Sequence, residues 1–313
     1  MIETRLIRQF VAVAEELNFH RAAERLNMSQ PPLSQAIRKL EADIGSPLFV
    51  RTNRSVTLTP AGHAFLATAR QVLAELDQGV AHARRVAEGI AGRLALGFIT
   101  LGPRPLIITA LGRFRARHPD VAFALSEATT AEQVEALGKG ALDLGFMRRP
   151  GAAGADLALE SIQREAIHVA LPAGHRCDTG GPVALAALAD EPFVMSARRL
   201  GPAFHDQLIA LCQHAGFSPR IAQEGRQMQT LVGLVAAGFG IALVPASVAD
   251  RSRHDVVFRP IRSAAPQTLT HVDLLMAWNP AHPSPVRDRF LAEIRSLAAE
   301  PGDGSDMHDV SFR

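Results

Sequence analysis

Ser29, Gln30, Ser34, Gln35 and Arg38 crowd into one short stretch of the chain, and their side chains are of the types that hydrogen-bond base edges and phosphates in a DNA major groove. The opposite side of this stretch is apolar. Leu33, Ile37, Leu40 and Ile44 recur every three or four residues, the spacing of a helix with one buried face. The polar side chains are therefore expected to point outward, with Pro31 and Pro32 beside them in the first turn. Just beyond, residues 50–58 (VRTNRSVTL) alternate β-prone residues about a turn at Asn53, with Arg51 and Arg54 expected to be exposed. Such a hairpin is a wing that can lie along a phosphate backbone or reach into a minor groove.

A helix of this kind needs a core to stand on. Phe19, Ala22, Ala23 and Leu26 fall at helical intervals, Asn27 and Met28 break that helix, and Ser29 is placed to accept a backbone N–H as the N-cap of the next. Proline is tolerated in a first turn because the N–H groups there have no partner within the helix. Gly45, Ser46 and Pro47 then end it. An earlier segment, 6–17, puts Leu6, Phe10, Val13, Ala14 and Leu17 on one face and provides the third helix of a closed core. A winged helix-turn-helix is expected over residues 1–58; the plainer reading of the same pattern is a generic helical module whose arginines are merely solvated.

From 59 to 91 the character changes. Phe65, Ala69, Val72, Leu76, Val80, Ala83, Ala87 and Ile90 recur at three- and four-residue steps, and Thr59 followed by Pro60 is a good start signal. This predicts a single helix on the order of 45 Å long. Its apolar stripe stays wet unless it packs on its own domain or on a partner helix from another subunit.

After Gly92 strands and helices alternate. Strands are expected at 94–99, 122–127, 141–146, 166–171, 192–195, 220–224, 240–245 and 271–278, and helices at 106–118, 132–139, 202–215, 228–237 and 285–298. That alternation argues an α/β domain with a mainly parallel sheet over 92–300. The last stretch, 301–313, is rich in Gly, Asp and Ser and reads as a disordered tail. The glycine-rich run from Gly233 to Ser247 lacks the spacing and following acidic residue of a dinucleotide fingerprint, so it reads as close helix–strand packing and no cofactor is expected.

Composition narrows the classes. A chain of 313 residues suggests about two domains, and a formal net charge of +2 argues against a blanket nucleic-acid coat, so basic character is local. Glu3, Arg5 and Arg8 stand where a secretory signal needs an apolar core, and no apolar run approaches the ~18–20 residues of a membrane span. A cytoplasmic protein with no membrane partner is expected. The histidines are scattered, with no HExxH, no GxSxG and no paired cysteines for zinc, so neither a catalytic nor a metal site is expected. Cys177 and Cys212 are the only cysteines, by default idle thiols in a reducing cytosol.

Residues 1 to about 59 resemble the winged helix-turn-helix of LysR-type transcriptional regulators. The likeness rests on Phe10 through Glu15, the Ala22-Ala23 pair, Leu26, Ser29 through Ser34, Ile37 through Glu41, Gly45, Leu48-Phe49, Arg51 and Leu58 through Gly62. It implies that the second helix reads an operator through Gln30, Pro31, Ser34, Gln35 and Arg38. It also implies that the long helix pairs two subunits, in keeping with a two-fold operator, and that the assembly is a homotetramer, a dimer of dimers, which contacts double-stranded DNA and RNA polymerase.

The second half resembles the effector domain of that family, a two-lobed α/β fold similar to periplasmic binding proteins. One lobe would hold 93–163 with 269–298 and the other 164–268, with a ligand in the cleft between them. Three features are then expected to face the cleft: the loop with Thr100 and Leu101, the helix start at Thr129 and Thr130, and Arg148 after a strand end, where a guanidinium can fork onto a carboxylate. Thr130 with Gln133 also reads as a capping box, Arg148 as an interdomain ion pair, and Phe204 as core filling. Within the family the chain is most like the regulators of benzoate, catechol and chlorocatechol breakdown, whose ligand positions match Thr130, Arg148, Pro202 and Phe204. An activator that responds to a muconate-like dicarboxylate or an aromatic acid is the function this resemblance implies. The alternatives are a constitutive DNA-binding regulator, a small-molecule enzyme with a DNA-binding arm, and a peroxide sensor working through Cys177 and Cys212.

Overall fold

Phe10 is fully buried where three helices meet a two-stranded hairpin. The helices are α1 (Thr4–Glu16), α2 (Phe19–Arg25) and α3 (Gln30–Ile44), and the hairpin pairs β1 (Phe49–Arg51) with β2 (Val56–Leu58) in antiparallel register. The expected apolar faces meet: Leu33, Ile37 and Leu40 of α3 are fully buried. The Phe10 ring sits 5.3 Å from Phe49 and 5.1 Å from Phe65. Asn18 caps α2, its Oδ1 accepting the N–H groups of His20 and Arg21 at 2.9 and 3.1 Å. Asn27 breaks the chain between α2 and α3 with φ of +51°, and Gly45 ends α3 with φ of +76°, a conformation that side chains bearing a Cβ rarely adopt.

A computed structural model describes residues 1–52, 55–99, 105–250 and 252–299. These fall into two compact units, Met1–Arg85 and a second beginning at Val86. The tail expected over 301–313, and the candidate residues Asn53, Arg54, Thr100 and Leu101, lie outside the described residues.

Helix α4 (Pro60–Ala87) has 28 residues, about 42 Å of helix. Thr59 starts it: its Oγ1 accepts the Gly62 N–H at 2.9 Å and donates to the Pro47 carbonyl at 2.8 Å. Phe65 and Ala69 pack on the core around Phe10. Further along, the stripe is open, with Val72, Leu76 and Val80 at 41%, 43% and 43% exposure. The helix stops at Ala87, short of the expected 91, because Gly89 turns the chain with φ of +70°.

The second unit begins with parallel strands in the order β4-β3-β5: β3 (Gly92–Phe98), β4 (Val121–Glu127) and β5 (Leu144–Met147), joined by α5 (Pro105–Arg117) and α6 (Thr130–Gly138). Then come β6 (Ala158–Pro172), β7 (Val183–Ala184), β8 (Pro192–Ser196), α7 (Pro202–His214), β9 (Arg220–Gly225) and α8 (Met228–Ala236). They are followed by β10 (Ala242–Pro245), β11 (Val256–Arg262), α9 (Gln267–Thr270), β12 (His271–Trp278) and α10 (Pro285–Ala299). Two main cores form. One gathers Leu94, Leu96, Phe114, Phe146, Met276 and Phe290; the other gathers Val169, Leu171, Phe193, Leu208, Leu211 and Ile241.

The sheet is not mainly parallel. β3, β4 and β5 are parallel, as are β8 with β9 and β7 with β11, but β6 pairs antiparallel with β10, β11 and β12, and β12 antiparallel with β5. The reason is the crossing between lobes. β6 passes from one core to the other, β12 returns beside it, and two neighbouring strands running opposite ways make an antiparallel ladder. Two misread segments follow from this. The polar half of β6, Glu160 through Glu165, lacks a strand pattern of its own and is held by the β12 ladder, while Pro260 disguised β11.

Candidate nucleic-acid interface and ligand cleft

In α3, Gln30, Pro31, Pro32, Gln35 and Arg38 are exposed and Ser34 is half-buried. Ser29 has the backbone of an N-cap, yet its hydroxyl makes no cap hydrogen bond. This corrects the sequence expectation and has a simple cause. An N-cap oxygen bonds the N–H of the second or third helical residue, and here those are Pro31 and Pro32, which have none. The exposed Ser29 side chain is thus kept out of the helix ladder beside Gln30.

Arg51 is exposed, as expected, and is steadied there: its Nη2 pairs with Glu41 Oε2 at 2.8 Å and its guanidinium lies over the Phe19 ring, 4.8 Å from the centroid, so it also braces the start of the wing. Glu41, given no role of its own in the sequence reading, is the organiser: its Oε1 accepts the Leu48 and Phe49 N–H groups at 3.0 and 3.2 Å, tying α3 to β1. Asn53 and Arg54 lie outside the described residues.

Within the second unit a cleft of ≈ 130 Å³ lies between the two lobes, with the starts of α6, α7 and α8 at its walls. The first backbone N–H groups of a helix have no intrahelical partner and carry its positive end, so three converging starts favour an anion. Thr129, not Thr130, is the N-cap of α6: Glu132 N–H donates to Thr129 Oγ1, and the Glu132 carboxylate accepts the Thr129 N–H at 2.9 Å. The box sits one residue earlier than the sequence suggested, which leaves Thr130 as the first helical residue, buried and lining the cleft.

Gln133 lies underneath. Its Nε2 donates to Ala128 O at 2.8 Å and Phe146 O at 3.3 Å, joining the loop before α6 to the strand before Arg148. A Cβ at Gly145 would lie 2.6 Å from Gln133 Oε1, so glycine is what lets this amide fit.

Arg148 is both things the sequence allowed. Its Nη2 pairs with Glu165 Oε1 at 2.7 Å, both side chains being buried, and it also lines the cleft. Its buried Nη1 has no hydrogen-bond partner. Phe204 likewise serves twice, packed in the second core and facing the cleft, whereas Pro202, first residue of α7, is not among the lining residues. Arg226, Gln227, Ser196 and Ser247 line the cleft and were missed. The signal for the first two was available: a strand at 220–224 followed by a helix at 228 is the same strand-to-helix turn that drew attention to Thr129.

Arg226 and Gln227 reach across the cleft. Arg226 Nη2 lies 2.6 and 2.8 Å from the two Glu132 oxygens, and Gln227 Nε2 donates to Glu127 Oε1 at 3.1 Å. The Thr129 N–H, and after it Arg226, hold the Glu132 carboxyl below its ordinary value of 4.5. The cysteines are both free thiols. Cys212 is buried in α7, and burial pushes its pKa up to about 12. Among the described residues no helix is long and apolar enough to cross a membrane.

Residues 4–63 match the bacterial regulatory helix-turn-helix proteins of the lysR family, and residues 87–299 match the LysR substrate binding domain. The chain is 42% identical to the uncharacterized HTH-type transcriptional regulator YnfL of Escherichia coli (strain K12), over 83% of this chain and 88% of that protein. It is 38% identical to the HTH-type transcriptional regulator AlsR of Bacillus subtilis (strain 168), over 82% and 85%. Its fold is similar to that of full-length CbnR complexed with its target DNA, with a TM-score of 0.73, 31% identity, and coverage of 95% of this chain and all of that one. An exposed reading helix on a braced wing, followed by a two-lobed domain with an anion-favouring cleft, accords with these likenesses, and the chain belongs to the LysR family of DNA-binding transcriptional regulators.

Proposed function

We propose that this regulator is an activator whose DNA contacts respond to a small carboxylate held in the cleft between the two lobes. One observation carries the reading: Arg148 lines a cleft where three helices begin, is paired through Nη2 with Glu165, and has a buried Nη1 with no hydrogen-bond partner. An unpaired buried donor is costly, and a ligand carboxylate relieves it by accepting that N–H. Thr129, Thr130, Phe204 and the loop with Thr100 and Leu101 complete the candidate ligand set. A muconate-like dicarboxylate or an aromatic acid has the size and charge for it, and no other cofactor is needed.

Recognition of double-stranded DNA is assigned to Ser29, Gln30, Pro31, Pro32, Ser34, Gln35 and Arg38, with Asn53 and Arg54 contacting the phosphate backbone. Arg51, exposed on the same wing and steadied by Glu41, belongs to this surface. The open stripe Val72, Leu76 and Val80 pairs two copies through α4, setting two reading helices on an operator with dyad symmetry, and two such pairs make a cytoplasmic tetramer that meets RNA polymerase at the promoter. The ligand acts by preferring one arrangement of the subunits over another.

The test is a mobility shift and footprint on the promoter beside its own gene, with and without cis,cis-muconate, chloromuconate and benzoate. Protection of a dyad whose pattern changes with one of these acids is the expected result. A footprint indifferent to every acid favours a constitutive regulator. Absence of DNA binding at moderate salt removes the proposal altogether.

A further inference from the structure

Arg226 and Glu132 make the closest charged contact across the mouth of the cleft, with Arg226 on the turn before α8 and Glu132 in the first turn of α6. Each has more to offer than this pair. Glu132 Oε2 already accepts the Thr129 N–H and the Thr129 hydroxyl, both at 2.9 Å, so its place in α6 does not depend on Arg226. Arg226 engages only Nη2 among the described residues, leaving its Nε and Nη1 donors unused. Arg226 and Arg148 are the two cationic side chains among the described residues lining the cleft, one from each wall.

We infer that Arg226 is a ligand anchor held in reserve by Glu132: Glu132 stands in for a ligand carboxylate, and an acidic ligand seated on Arg148 takes over Arg226 with its second acidic group. The exchange is isoelectric at Arg226, one carboxylate for another. It turns a contact between side chains at the mouth into a contact through the ligand, so closure comes to depend on occupancy. A ligand with one acidic group satisfies Arg148 but leaves Arg226 on Glu132. Selectivity for two acidic groups over one therefore lies in the competition between Glu132 and the ligand. The inference rests on the proposed carboxylate cleft, and the variants below separate its failure from the failure of that reading.

The experiment is calorimetric titration of the full chain with cis,cis-muconate and with benzoate, for the wild type, E132Q, R226A, the E132Q/R226A double variant and R148Q. Glutamine at 132 keeps the capping box with Thr129 and removes only the charge that competes for Arg226. E132Q should bind muconate about 2- to 5-fold more tightly, the scale of an exposed ion pair. R226A should weaken muconate about 10-fold, the scale of one charged hydrogen bond, and leave benzoate unchanged. The double variant should match R226A, since Glu132 has no competitor role once Arg226 is gone. A merely structural latch predicts the reverse for E132Q: looser lobes and weaker binding of both acids. Muconate binding unchanged in E132Q, or equal losses of muconate and benzoate in R226A, overturns the inference while a loss of both acids in R148Q upholds the cleft. If R148Q binds as the wild type does, the cleft reading itself falls. If the wild type and E132Q bind neither acid, both fall.

Discussion

Arg148 and Glu165 form an ion pair at 2.7 Å with side chains only 7% and 5% exposed, and Glu165 Oε2 also accepts the Ser247 N–H at 2.8 Å. The pair therefore knits the end of β5, the crossing strand β6 and the turn after β10 into one floor. Removing one partner of a buried pair leaves an uncompensated charge, which costs about 3–5 kcal/mol, whereas replacing both by apolar groups is often neutral. Glu165→Leu should lose that much in urea unfolding, and Arg148→Met/Glu165→Leu should recover most of it. Ligand binding should be absent in the double variant even though its stability is recovered, which separates the role of Arg148 in the cleft from its role in the fold.

Ser29 and Arg38 sit at the start and along the outer face of α3. Arg38→Ala should weaken specific DNA binding by about 1–3 kcal/mol if it reads a base, and about equally on all sequences if it holds a phosphate. Ser29→Ala should leave thermal stability unchanged, because its hydroxyl makes no cap bond. A drop in stability of about 1 kcal/mol, the usual worth of a cap, would contradict the geometry at Pro31 and Pro32.

Leu76 and Val80 lie on the open stripe of α4. Placing charge there, as Leu76→Glu/Val80→Glu, should shift the species seen in sedimentation to the monomer while far-ultraviolet dichroism stays unchanged. Affinity for a dyad operator should fall much more than affinity for a half-site.

His168 lies on β6 with a buried Nδ1 that has no hydrogen-bond partner, and burial lowers its pKa from the ordinary 6.5, with Glu165 countering in part. The unfolded chain takes up this proton near 6.5, while the folded one resists until the pH falls further. The residue's contribution is thus complete above about 6.5 and is lost as the pH drops through its lowered folded value. His168→Gln should flatten the acid side of the stability profile between pH 7.5 and 5, as measured by urea midpoints. An unchanged slope would show that other groups set it.

Cys212, with its pKa pushed up to about 12, should resist alkylation at pH 8, whereas half-buried Cys177 should react. Peptide mapping after iodoacetamide labelling would check this. Equal labelling of both would favour a redox pair as the switch.

The legible parts were those where local chemistry decides. The three- and four-residue spacing of Leu33, Ile37 and Leu40, the Thr59-Pro60 start and the Gly45 stop are properties of a helix before it meets anything else, and they place α3, its polar face and α4. The strand-to-helix turn that carries Thr129 and the strand end that carries Arg148 are equally local. Arg226 was missed because the same rule was not carried to the turn after β9.

What only the tertiary structure decided is pairing, since pairing depends on neighbours far away along the chain. The sequence determined that Arg51 and Arg148 are cationic, but not that Glu41 would pair with the first or that Glu165 would meet the second. It determined that β6 and β12 had strand-forming stretches, but their antiparallel crossing, which shapes the two lobes, came from the chain returning beside itself. A helix start is set by a few residues in sequence. A cleft is set by which distant starts are brought to face each other, and Arg226 against Glu132 is the instance on which selectivity is predicted to turn.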